Sequence, residues 1–490
     1  MKTILILGGG TAGWMAACLM ARAWPDATIT VVESRDIGIV GVGEGSTPQL
    51  RHFFATLGIA DEEWMPACHA TYKTGIEFRG WSEQPGAASY FHPFASDVDR
   101  HTEPAFHAAH LARRRGADVL AHPDRFFLNA RLAADRRAPL PGEAFPFDAS
   151  YGYHFDAYLV GAFLRRHALA AGVRHLDCVI GEAAVGEDGD VRHLVCAGGE
   201  TLAADLFVDA SGFRGLIAQE ALGVPFRSFA DNLFNDRAVV MPTPALADSA
   251  PQTTATALSA GWAWHIPLTS RVGNGYVYAS RYLDPAAAEA ELRAHVGEGA
   301  GEARHLTMKV GRLEHSWRGN CLAIGLAQGF LEPLEATALH LVQTTLTGFI
   351  GAWADGGFTP QHRDLFNARI ARRYEGIRDY IVAHYRLNRR SDIDYWRDNA
   401  RHDRLSDDLK ALMTCWFTGG DLAGEIARRD LAGYYAPLSW GCLFAGYGTF
   451  PARLQPVPVP EDGIDDFLRR CALNFPPHRE VLARMTDGTR

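Results

Sequence analysis

Features that would mark a specialised class of protein are scarce in this sequence. The 490 residues include only eight cysteines, which are scattered, with no C-x-x-C pair and no spacing typical of metal ligands. This scarcity predicts reduced thiols, a cytoplasmic protein and no bound metal. Basic residues number 48 against 57 acidic ones, and the resulting net charge of −9 disfavours broad electrostatic capture of nucleic acid.

Long hydrophobic runs are also missing. No apolar stretch approaches the roughly 20 residues that a membrane-spanning helix needs, so no membrane association is predicted. The run Ile4–Leu7 near the N-terminus is too short for a secretion signal, and glycines end it at once. A buried first strand is the better interpretation. The composition, 47% hydrophobic and 21% charged, predicts a large globular enzyme.

A glycine-rich pattern stands at the start of the chain. The short apolar run leads into small residues and then into a segment with helical spacing; the small residues are Gly8, Gly10, Thr11, Ala12 and Gly13. Such glycines permit a tight turn and close approach of a pyrophosphate to the N-terminus of the helix. Glu33 follows about 20 residues later, where an acid binds ribose hydroxyls. This predicts a dinucleotide-binding module.

Two later segments favour FAD over NAD. In LFVDASGFRG (206–215) an apolar strand ends at Asp209, and in CLAIGLAQGFLEPLEAT (321–337) Leu326 follows a glycine. They resemble the second and third motifs of FAD-dependent monooxygenase-type proteins, although the third often has an aspartate where Leu326 stands. The predicted fold class is therefore α/β, with a Rossmann-type FAD-binding module. No second G-x-G-x-x-G suggests an NAD(P)H domain, so reducing equivalents are expected from elsewhere.

The segment GWAWHIP (261–267) carries two tryptophans two residues apart. In an extended strand Trp262, Trp264 and Ile266 share one face. Taken alone, this pattern predicts a core strand that ends at Pro267.

Together these segments resemble the flavin-dependent halogenases of the tryptophan halogenase type. The resemblance runs through nearly the whole chain, and W-x-W-x-I-P is its most discriminating part. It rests on the following segments: GGGTAGWMAA, GVGEGSTP, TYKTGIEFRGW, YFHPF, YHFDAYL, DASGFRG, GWAWHIP, GFLEPLEAT and HYRLNRRSDIDYW. It implies an FAD module over residues 1–363, with an interleaved sheet, and a mostly helical part over 364–490 that covers the substrate.

The resemblance implies a specific chemistry. A separate NAD(P)H-dependent flavin reductase supplies reduced FAD, which with O2 and chloride or bromide yields hypohalous acid. The acid passes through a tunnel to Lys73, beside an electron-rich, indole-type aromatic substrate, and Glu335 stabilises or deprotonates the cationic intermediate. Lys73 is expected on one continuous alternating strand, 72–79. The residues alone would make Lys73 a surface lysine and Glu335 an acid near the start of a helix.

Further residues take roles by the same resemblance. Thr337 and Ala338 are expected to bind halide at the start of a helix that follows Glu335. The family pattern there is closer to E-S-T-G, so Ala336 and Ala338 put the halide preference in doubt. The remaining flavin contacts implied are Gly45, Val179, Leu326 and Leu339. A homodimer is common in the family.

The substrate is expected beside aromatic residues. His92 and Phe94 in YFHPF match residues that flank the substrate ring, and Trp440 is the candidate for an aromatic wall on another side of it. The shared face of Trp262, Trp264 and Ile266 would form an apolar wall that separates flavin from substrate. No acid occurs between Leu431 and Gly448, which favours indole, an indole derivative or a larger aromatic over free tryptophan. Two alternatives remain: an FAD-dependent aromatic monooxygenase and a non-catalytic flavin-binding paralogue.

Overall fold

The computed structural model describes residues 2–34, 44–452, 455–457 and 462–487, which form two compact units. The first unit comprises Met1–His69, Phe155–Ala230 and Met308–Glu375. The second comprises Ala70–His154, Asp231–Thr307 and Gly376–Arg490. Each unit is therefore assembled from three separate stretches of sequence.

The chain forms 24 strands and 15 α-helices in its described residues. In order, the strands are β1 Thr3–Leu7, β2 Thr28–Glu33, β3 Glu44–Gly45, β4 Thr71–Lys73, β5 Gly75–Arg79, β6 Ser89–Pro93, β7 Ala117–Asp118, β8 Gly152–Phe155, β9 Arg174–Asp177, β10 Ile180–Val185, β11 Val191–Cys196, β12 Thr201–Ala203, β13 Leu206–Asp209, β14 Phe226–Ser228, β15 Arg237–Pro244, β16 Thr253–Ala257, β17 Gly261–Pro267, β18 Arg271–Tyr278, β19 Arg304–Thr307, β20 Gly311–Leu313, β21 Trp317–Arg318, β22 Cys321–Ala323, β23 Gly329–Phe330 and β24 Gln455–Pro456. The helices are α1 Thr11–Ala23, α2 Gln49–Leu57, α3 Asp61–Trp64, α4 Glu103–Arg114, α5 Leu128–Ala134, α6 Ala157–Ala170, α7 Pro285–Val296, α8 Ala338–Asp355, α9 Arg363–Leu387, α10 Asp394–Arg401, α11 Asp407–Phe417, α12 Leu422–Arg428, α13 Pro437–Gly446, α14 Ile464–Ala472 and α15 His478–Asp487.

The first unit is organised by a six-stranded sheet, in the order β21-β22-β13-β1-β2-β9. The strands from β22 to β9 pair in parallel, and β1 and β13 are almost wholly buried, as expected of a sheet covered on both faces. The chain passes from β1 through α1 to β2, the predicted β-α-β order. This confirms the Rossmann-type α/β fold.

The second unit is organised by a seven-stranded sheet, in the order β19-β15-β18-β17-β16-β5-β6. All its pairings are antiparallel except that of β16 with β5. The predicted strand 261–267 is β17, between β16 and β18. Ala263 packs in a cluster with residues of α7, so that face of β17 is covered by a helix.

The lysine segment is not one continuous strand, and this prediction is wrong. β4 pairs with β8, whereas β5 pairs with β6 and β16 in the larger sheet. Between β4 and β5, the Thr74 N–H and hydroxyl both donate to the Pro251 carbonyl, at 2.7 and 2.9 Å. Because Thr74 bonds outside both ladders, the predicted alternation from Tyr72 to Arg79 is interrupted.

The C-terminal part is mostly helical in its described residues, as predicted, from α9 to α15. In the part of the chain that the structure describes, none of the helices has both the length and the hydropathy to cross a membrane.

The cysteine prediction is wrong for one pair. Cys178, after β9, and Cys196, at the end of β11, form a disulfide with a Cα–Cα distance of 6.1 Å. The other six cysteines are free thiols. Sequence spacing did not indicate the pair because its closeness comes from the β10–β11 hairpin.

Candidate functional site

Three strand ends meet at one edge of the six-stranded sheet. Leu7 at the end of β1 is in register with Asp209 at the end of β13, which in turn is in register with Ala323 at the end of β22. The predicted glycine motif and the two later segments therefore begin side by side. In open α/β sheets this edge, at the carboxyl ends of the strands, is where ligands bind.

The glycines of the first motif leave no room for side chains. A Cβ on Gly8, whose φ is +116°, would lie 2.2 Å from the Ala210 carbonyl oxygen, and one on Gly13 would lie 1.9 Å from the Gly8 oxygen. Gly10 precedes α1, and no side chain caps the first turn, which begins Thr11-Ala12. The exposed backbone and the positive end of the helix fit a pyrophosphate.

Glu33 lies directly over this loop. A Cβ on Gly9 would come 1.4 Å from the Glu33 Oε2, so only glycine leaves space for the carboxylate. The Glu33 Oε1 lies 2.9 Å from His175 Nε2 and 3.7 Å from an Arg165 nitrogen. These two basic residues, which the sequence interpretation missed, hold the carboxylate at the position where it would meet a ribose.

Asp209 is fully buried and makes four hydrogen bonds to its own loop. Its Oδ1 accepts from the Ser211 N–H and hydroxyl, and its Oδ2 accepts from the Ile217 and Ala218 N–H groups at 2.9 and 2.8 Å. Burial raises the pKa of this carboxyl above its ordinary value. Asp209 thus fixes the shape of the loop that follows β13, and both of its oxygens accept hydrogen bonds from donors in that loop.

The segment 321–337 packs against the glycine motif at the start of the chain. Gly325, with φ of +59°, would place a Cβ 3.0 Å from the Ala12 Cβ, and Leu326 follows in a short 3-10 turn. The other implied flavin contacts differ in exposure: Leu339 is buried, Gly45 is half-buried and Val179 is exposed. The residues of this unit fit FAD, because the loops leave backbone free and Glu33 adjoins them.

The segment around Glu335 forms a tight turn before α8. Pro333–Glu335 is a single 3-10 turn, Ala336 adopts a left-handed φ of +54°, and α8 begins only at Ala338. A second carboxylate, Glu332, lies three residues before Glu335. The two side chains are 1% and 7% exposed, so burial alone does not single out Glu335 as the catalytic acid. Thr337 precedes the helix without a side-chain cap, which leaves the first-turn N–H groups accessible to an anion.

Lys73 is completely buried at the end of β4, which excludes a surface role. Its partner across the β4–β8 ladder is Gly152, which has no side chain to compete for space. Its Nζ lies 5.5 Å from the centre of the Phe94 ring, a cation–π distance. The Phe94 N–H donates to the Thr74 carbonyl at 2.9 Å, which fixes the aromatic residue beside the lysine strand.

A hydrogen-bonded histidine stands next to the lysine. His154 of β8 is fully buried, with its Nδ1 3.1 Å from the Thr71 Oγ1 and its Nε2 2.9 Å from the Thr253 Oγ1. Thr71 also donates to the Pro267 carbonyl at 2.7 Å. Burial, and then the positive charge of Lys73, hold the pKa of His154 well below its ordinary value. This cluster is a second feature that sequence interpretation missed, although YHFDAYL contained its histidine.

The predicted apolar wall of β17 is present. Trp262, Trp264 and Ile266 are buried, and the two indole rings lie 6.1 Å apart. The Trp264 ring lies across Gly275 of β18, where a Cβ would be only 2.1 Å from its Cζ2. His265 lies on the opposite face and contacts Asn274 at 3.2 Å. The shared face that the alternation predicted is therefore confirmed.

The aromatic candidates for substrate binding are linked by Tyr380 of α9. Its ring meets His92 edge-on at 6.1 Å and Trp440 edge-on at 4.8 Å, and it stacks on Tyr435 at 3.5 Å. The Tyr380 hydroxyl donates to the Ser439 carbonyl at 3.0 Å. Tyr380 was not singled out from the sequence because it lies within a long helical pattern. His92 and Trp440 thus belong to one aromatic cluster.

The predicted site residues are divided between the two units. The nucleotide loops, Glu335, Thr337 and Ala338 belong to the first unit. Lys73, the aromatic cluster and the β17 wall belong to the second.

Comparison with known proteins identifies extensive similarity. The sequence profile described as "Tryptophan halogenase" matches residues 3–460. The chain is 36% identical over 525 aligned positions to the 7-chloro-L-tryptophan 6-halogenase KtzR of Kutzneria sp. (strain 744), covering 98% of this chain and 99% of that protein.

Solved structures are similar over the whole chain. The tryptophan 6-halogenase SttH from Streptomyces toxytricini superposes with a TM-score of 0.82 at 32% identity, covering 98% of this chain and 99% of that one. BrvH, a flavin-dependent halogenase from Brevundimonas sp. BAL3, superposes with a TM-score of 0.83 at 33% identity, and 99% of each chain is covered.

Proposed function

Because the chain belongs to the tryptophan halogenase family, we propose that it halogenates an electron-rich, indole-type aromatic compound by way of hypohalous acid delivered to Lys73. The observation that carries this proposal is the complete burial of Lys73 beside the Phe94 ring. A buried amine next to an aromatic wall can hold a small oxidant close to a substrate ring. A solvent-exposed lysine would lose such an oxidant to water.

The family implies FAD and halide as cofactors. Gly8, Gly10, Gly13 and Glu33 would hold the pyrophosphate and ribose, and the first turn of α8 would hold the halide. When bound, reduced FAD together with O2 supplies the oxidising equivalent that turns halide into hypohalous acid. We assign the supply of reduced flavin to a separate NAD(P)H-dependent reductase and the setting to the cytoplasm.

The chain's own residues then perform the aromatic substitution. Lys73 holds hypohalous acid by hydrogen bonding or as a haloamine, and Glu335 stabilises the cationic ring and accepts the proton that leaves it. The Trp262–Trp264–Ile266 face forms a wall along the path of the oxidant, so that the substrate does not react directly at the flavin. Its burial and its close packing on Gly275 support this role.

The substrate is proposed to be an indole or indole derivative. Two of the relatives named above, KtzR and SttH, are by name halogenases of chlorotryptophan and tryptophan. In this chain His92, Tyr380 and Trp440 form an aromatic cluster suited to stack on such a ring.

The test is a reconstituted assay. The enzyme is supplied with FAD, a flavin reductase, NADH, O2, and bromide or chloride, together with a panel of indoles that includes tryptophan. We expect products with the isotope pattern of bromine or chlorine in mass spectrometry. Oxygenated product that forms without halide would identify a monooxygenase instead, and tight FAD binding without any product would indicate a non-catalytic paralogue.

A further inference from the structure

The buried cluster around His154 connects the lysine strand to the strand of the tryptophan wall. We propose that His154, as a neutral imidazole protonated on Nδ1, is a positioning residue that fixes Lys73 relative to β17. The proposal rests on the role given to Lys73 above. It adds a requirement for a particular hydrogen-bond direction, which follows from the chemistry of the groups present.

The Pro267 carbonyl determines which group donates and which accepts in each hydrogen bond of the cluster. A carbonyl oxygen only accepts, so the single hydroxyl proton of Thr71 is donated to Pro267, at 2.7 Å. The Thr71 oxygen can then only accept at its 3.1 Å contact with His154, which requires a proton on Nδ1. In the neutral ring Nε2 is an acceptor, and the Thr253 hydroxyl donates to it at 2.9 Å. Both ring nitrogens of His154 and the hydroxyls of Thr71 and Thr253 are thereby paired.

The ladder geometry places this cluster on the same side as the lysine. Thr71 is opposite His154 and Lys73 is opposite Gly152 in the antiparallel β4–β8 pair. Side chains at positions two apart on a strand point to one face, so Thr71, Lys73 and His154 share it. Tyr72 points to the other face, where it meets Tyr153 at 6.0 Å. His154 and Lys73 are thus diagonal neighbours over the space left by Gly152.

The cluster joins four elements at one point, and His154 itself belongs to β8. Thr71 belongs to β4, Pro267 ends β17 and Thr253 begins β16. Side-chain hydrogen bonds from Thr71 to Pro267 and from His154 to Thr253 therefore link the lysine strand and its partner strand to β17 and β16. A change that removes these bonds would loosen the lysine strand where it faces β16 and β17, without removing any aromatic residue.

The neutral state of His154 is favoured by its surroundings. The positive or protonatable groups that act on it are Lys73, His478 and His265, and each, together with burial, lowers the pKa of His154. A second buried cation beside Lys73 would be unfavourable, and protonation of Nε2 would oppose the bond donated by Thr253.

The first test compares an isosteric change at Thr71 with one that keeps its hydroxyl. Thr71→Val removes the hydroxyl and Thr71→Ser retains it, while Thr254→Val is the matched control, a buried threonine of β16 outside the cluster. We expect halogenated product per O2 consumed to fall roughly tenfold in Thr71→Val, because small displacements of reacting groups are costly. Thr71→Ser and Thr254→Val should stay near wild type. Equal losses in all three variants would overturn the proposal.

A second pair of variants separates the two ends of the imidazole. His154→Asn places an amide N–H close to the position of Nδ1 and can still donate to Thr71. His154→Gln places its amide near Nε2 and preserves the Thr253 end instead. The proposal expects His154→Asn to retain more halogenation per O2 consumed than His154→Gln. The opposite order, or an equal loss, would contradict it.

Two measurements do not depend on halogenation. In histidine-labelled wild-type protein, the ¹⁵N shifts of His154, assigned from their loss in His154→Asn, should report a neutral Nδ1–H ring through the pH range in which a free imidazole becomes charged. Lys73 should resist an amine-acylating reagent in wild type and Thr71→Ser but react in Thr71→Val, as read by peptide mass spectrometry. A ring that titrates near pH 6.5, or equal acylation of Lys73 in all variants, would refute the positioning role. Correct shifts and protection in a protein that halogenates nothing would refute only the proposed function.

Discussion

The indole of Trp264 lies across Gly275 on the neighbouring strand, and no larger residue fits beneath it. A Cβ at position 275 would lie 2.1 Å from the Trp264 Cζ2, far inside van der Waals contact. Gly275→Ala should therefore push Trp264 out of its place in the wall. We expect less halogenated product per O2 consumed, with new oxygenated aromatic product if the wall keeps substrate from the flavin.

The control for this prediction is Gly198→Ala. A Cβ on Gly198 meets no atom within 4 Å, so the change alters backbone freedom without a clash. Product analysis by mass spectrometry on both variants provides the comparison. If Gly275→Ala gives the wild-type products at the wild-type rate, the tryptophan face is core packing and has no role in directing the oxidant.

Loss of the Lys73 amine should stop halogenation while leaving the flavin site intact. Lys73 is buried in the second unit, whereas the nucleotide loops belong to the first. We expect Lys73→Ala to lower halogenation by at least about 100-fold, the scale expected when a positioned catalytic group is removed. Flavin binding and flavin oxidation, followed by absorbance, should persist.

The matched control is Lys410→Ala, which removes an exposed lysine of the same unit. It should halogenate at the wild-type rate. Wild-type halogenation by Lys73→Ala would mean that the oxidant needs no lysine, and the proposed mechanism would fail.

Gly9 should be essential to the nucleotide site for a steric reason. A Cβ at position 9 would come 1.4 Å from the Glu33 Oε2, so Gly9→Ala must displace that carboxylate. Its contacts with His175 and Arg165 would be lost with it. We expect FAD affinity, measured by quenching of flavin fluorescence, to fall at least tenfold. This corresponds to a loss of about 1.4 kcal/mol of binding free energy. Unchanged affinity would show that Glu33 does not contact the cofactor.

The nucleotide half of this architecture was predictable because its signals are local. A short apolar run, glycines and a helical pattern specify β1, the turn and α1 within about 20 residues, and Glu33 follows at a fixed spacing. The alternation in 261–267 likewise predicted which residues of β17 share a face. In each case the physical cause acts between residues close in the sequence.

The interior of the site was not predictable because its contacts are remote. His154 and Thr71 are 83 residues apart, and the Thr71–Pro267 bond spans 196. The break at Thr74 depends on the Pro251 carbonyl, 177 positions away, so local alternation wrongly predicted one strand. Tyr380 joins His92 to Trp440 only after α9 and α13 have packed.

Ala336 is a residue whose replacement by glycine should stabilise the protein. Its φ of +54° is left-handed, a conformation that costs a non-glycine residue about 1 kcal/mol or more. We expect Ala336→Gly to raise the free energy of unfolding of the protein by roughly 0.5 to 1 kcal/mol, since glycine adopts that φ freely at an entropic cost of its own.

The contrasting change is Ala352→Gly, within α8. Ala352 has ordinary helical geometry, so its replacement by glycine should lower the free energy of unfolding of the protein by about 1 kcal/mol. Urea unfolding of both variants gives the comparison. Destabilisation by both would show that the left-handed turn before α8 carries no strain that glycine relieves.

Acid should destabilise the protein in part through His110. Burial lowers the pKa of His110 from 6.5 to about 3, with smaller effects from His107 and Arg114. The folded state therefore takes up this proton at lower pH than the unfolded chain does. The associated stability is fully present above pH 6.5 and is lost progressively as the pH falls towards 3.

His110→Gln removes this titration and should flatten the pH dependence of stability. Between pH 6.5 and 4 we expect wild type to lose on the order of 2 to 3 kcal/mol more than the variant. His52→Gln, at an exposed position, is the control and should follow the wild-type curve. The readout is the slope of the unfolding free energy against pH, since loss of the contact between His110 and Trp416 lowers the variant's stability equally at every pH. Parallel curves for wild type and His110→Gln would mean that His110 titrates alike in the folded and unfolded states.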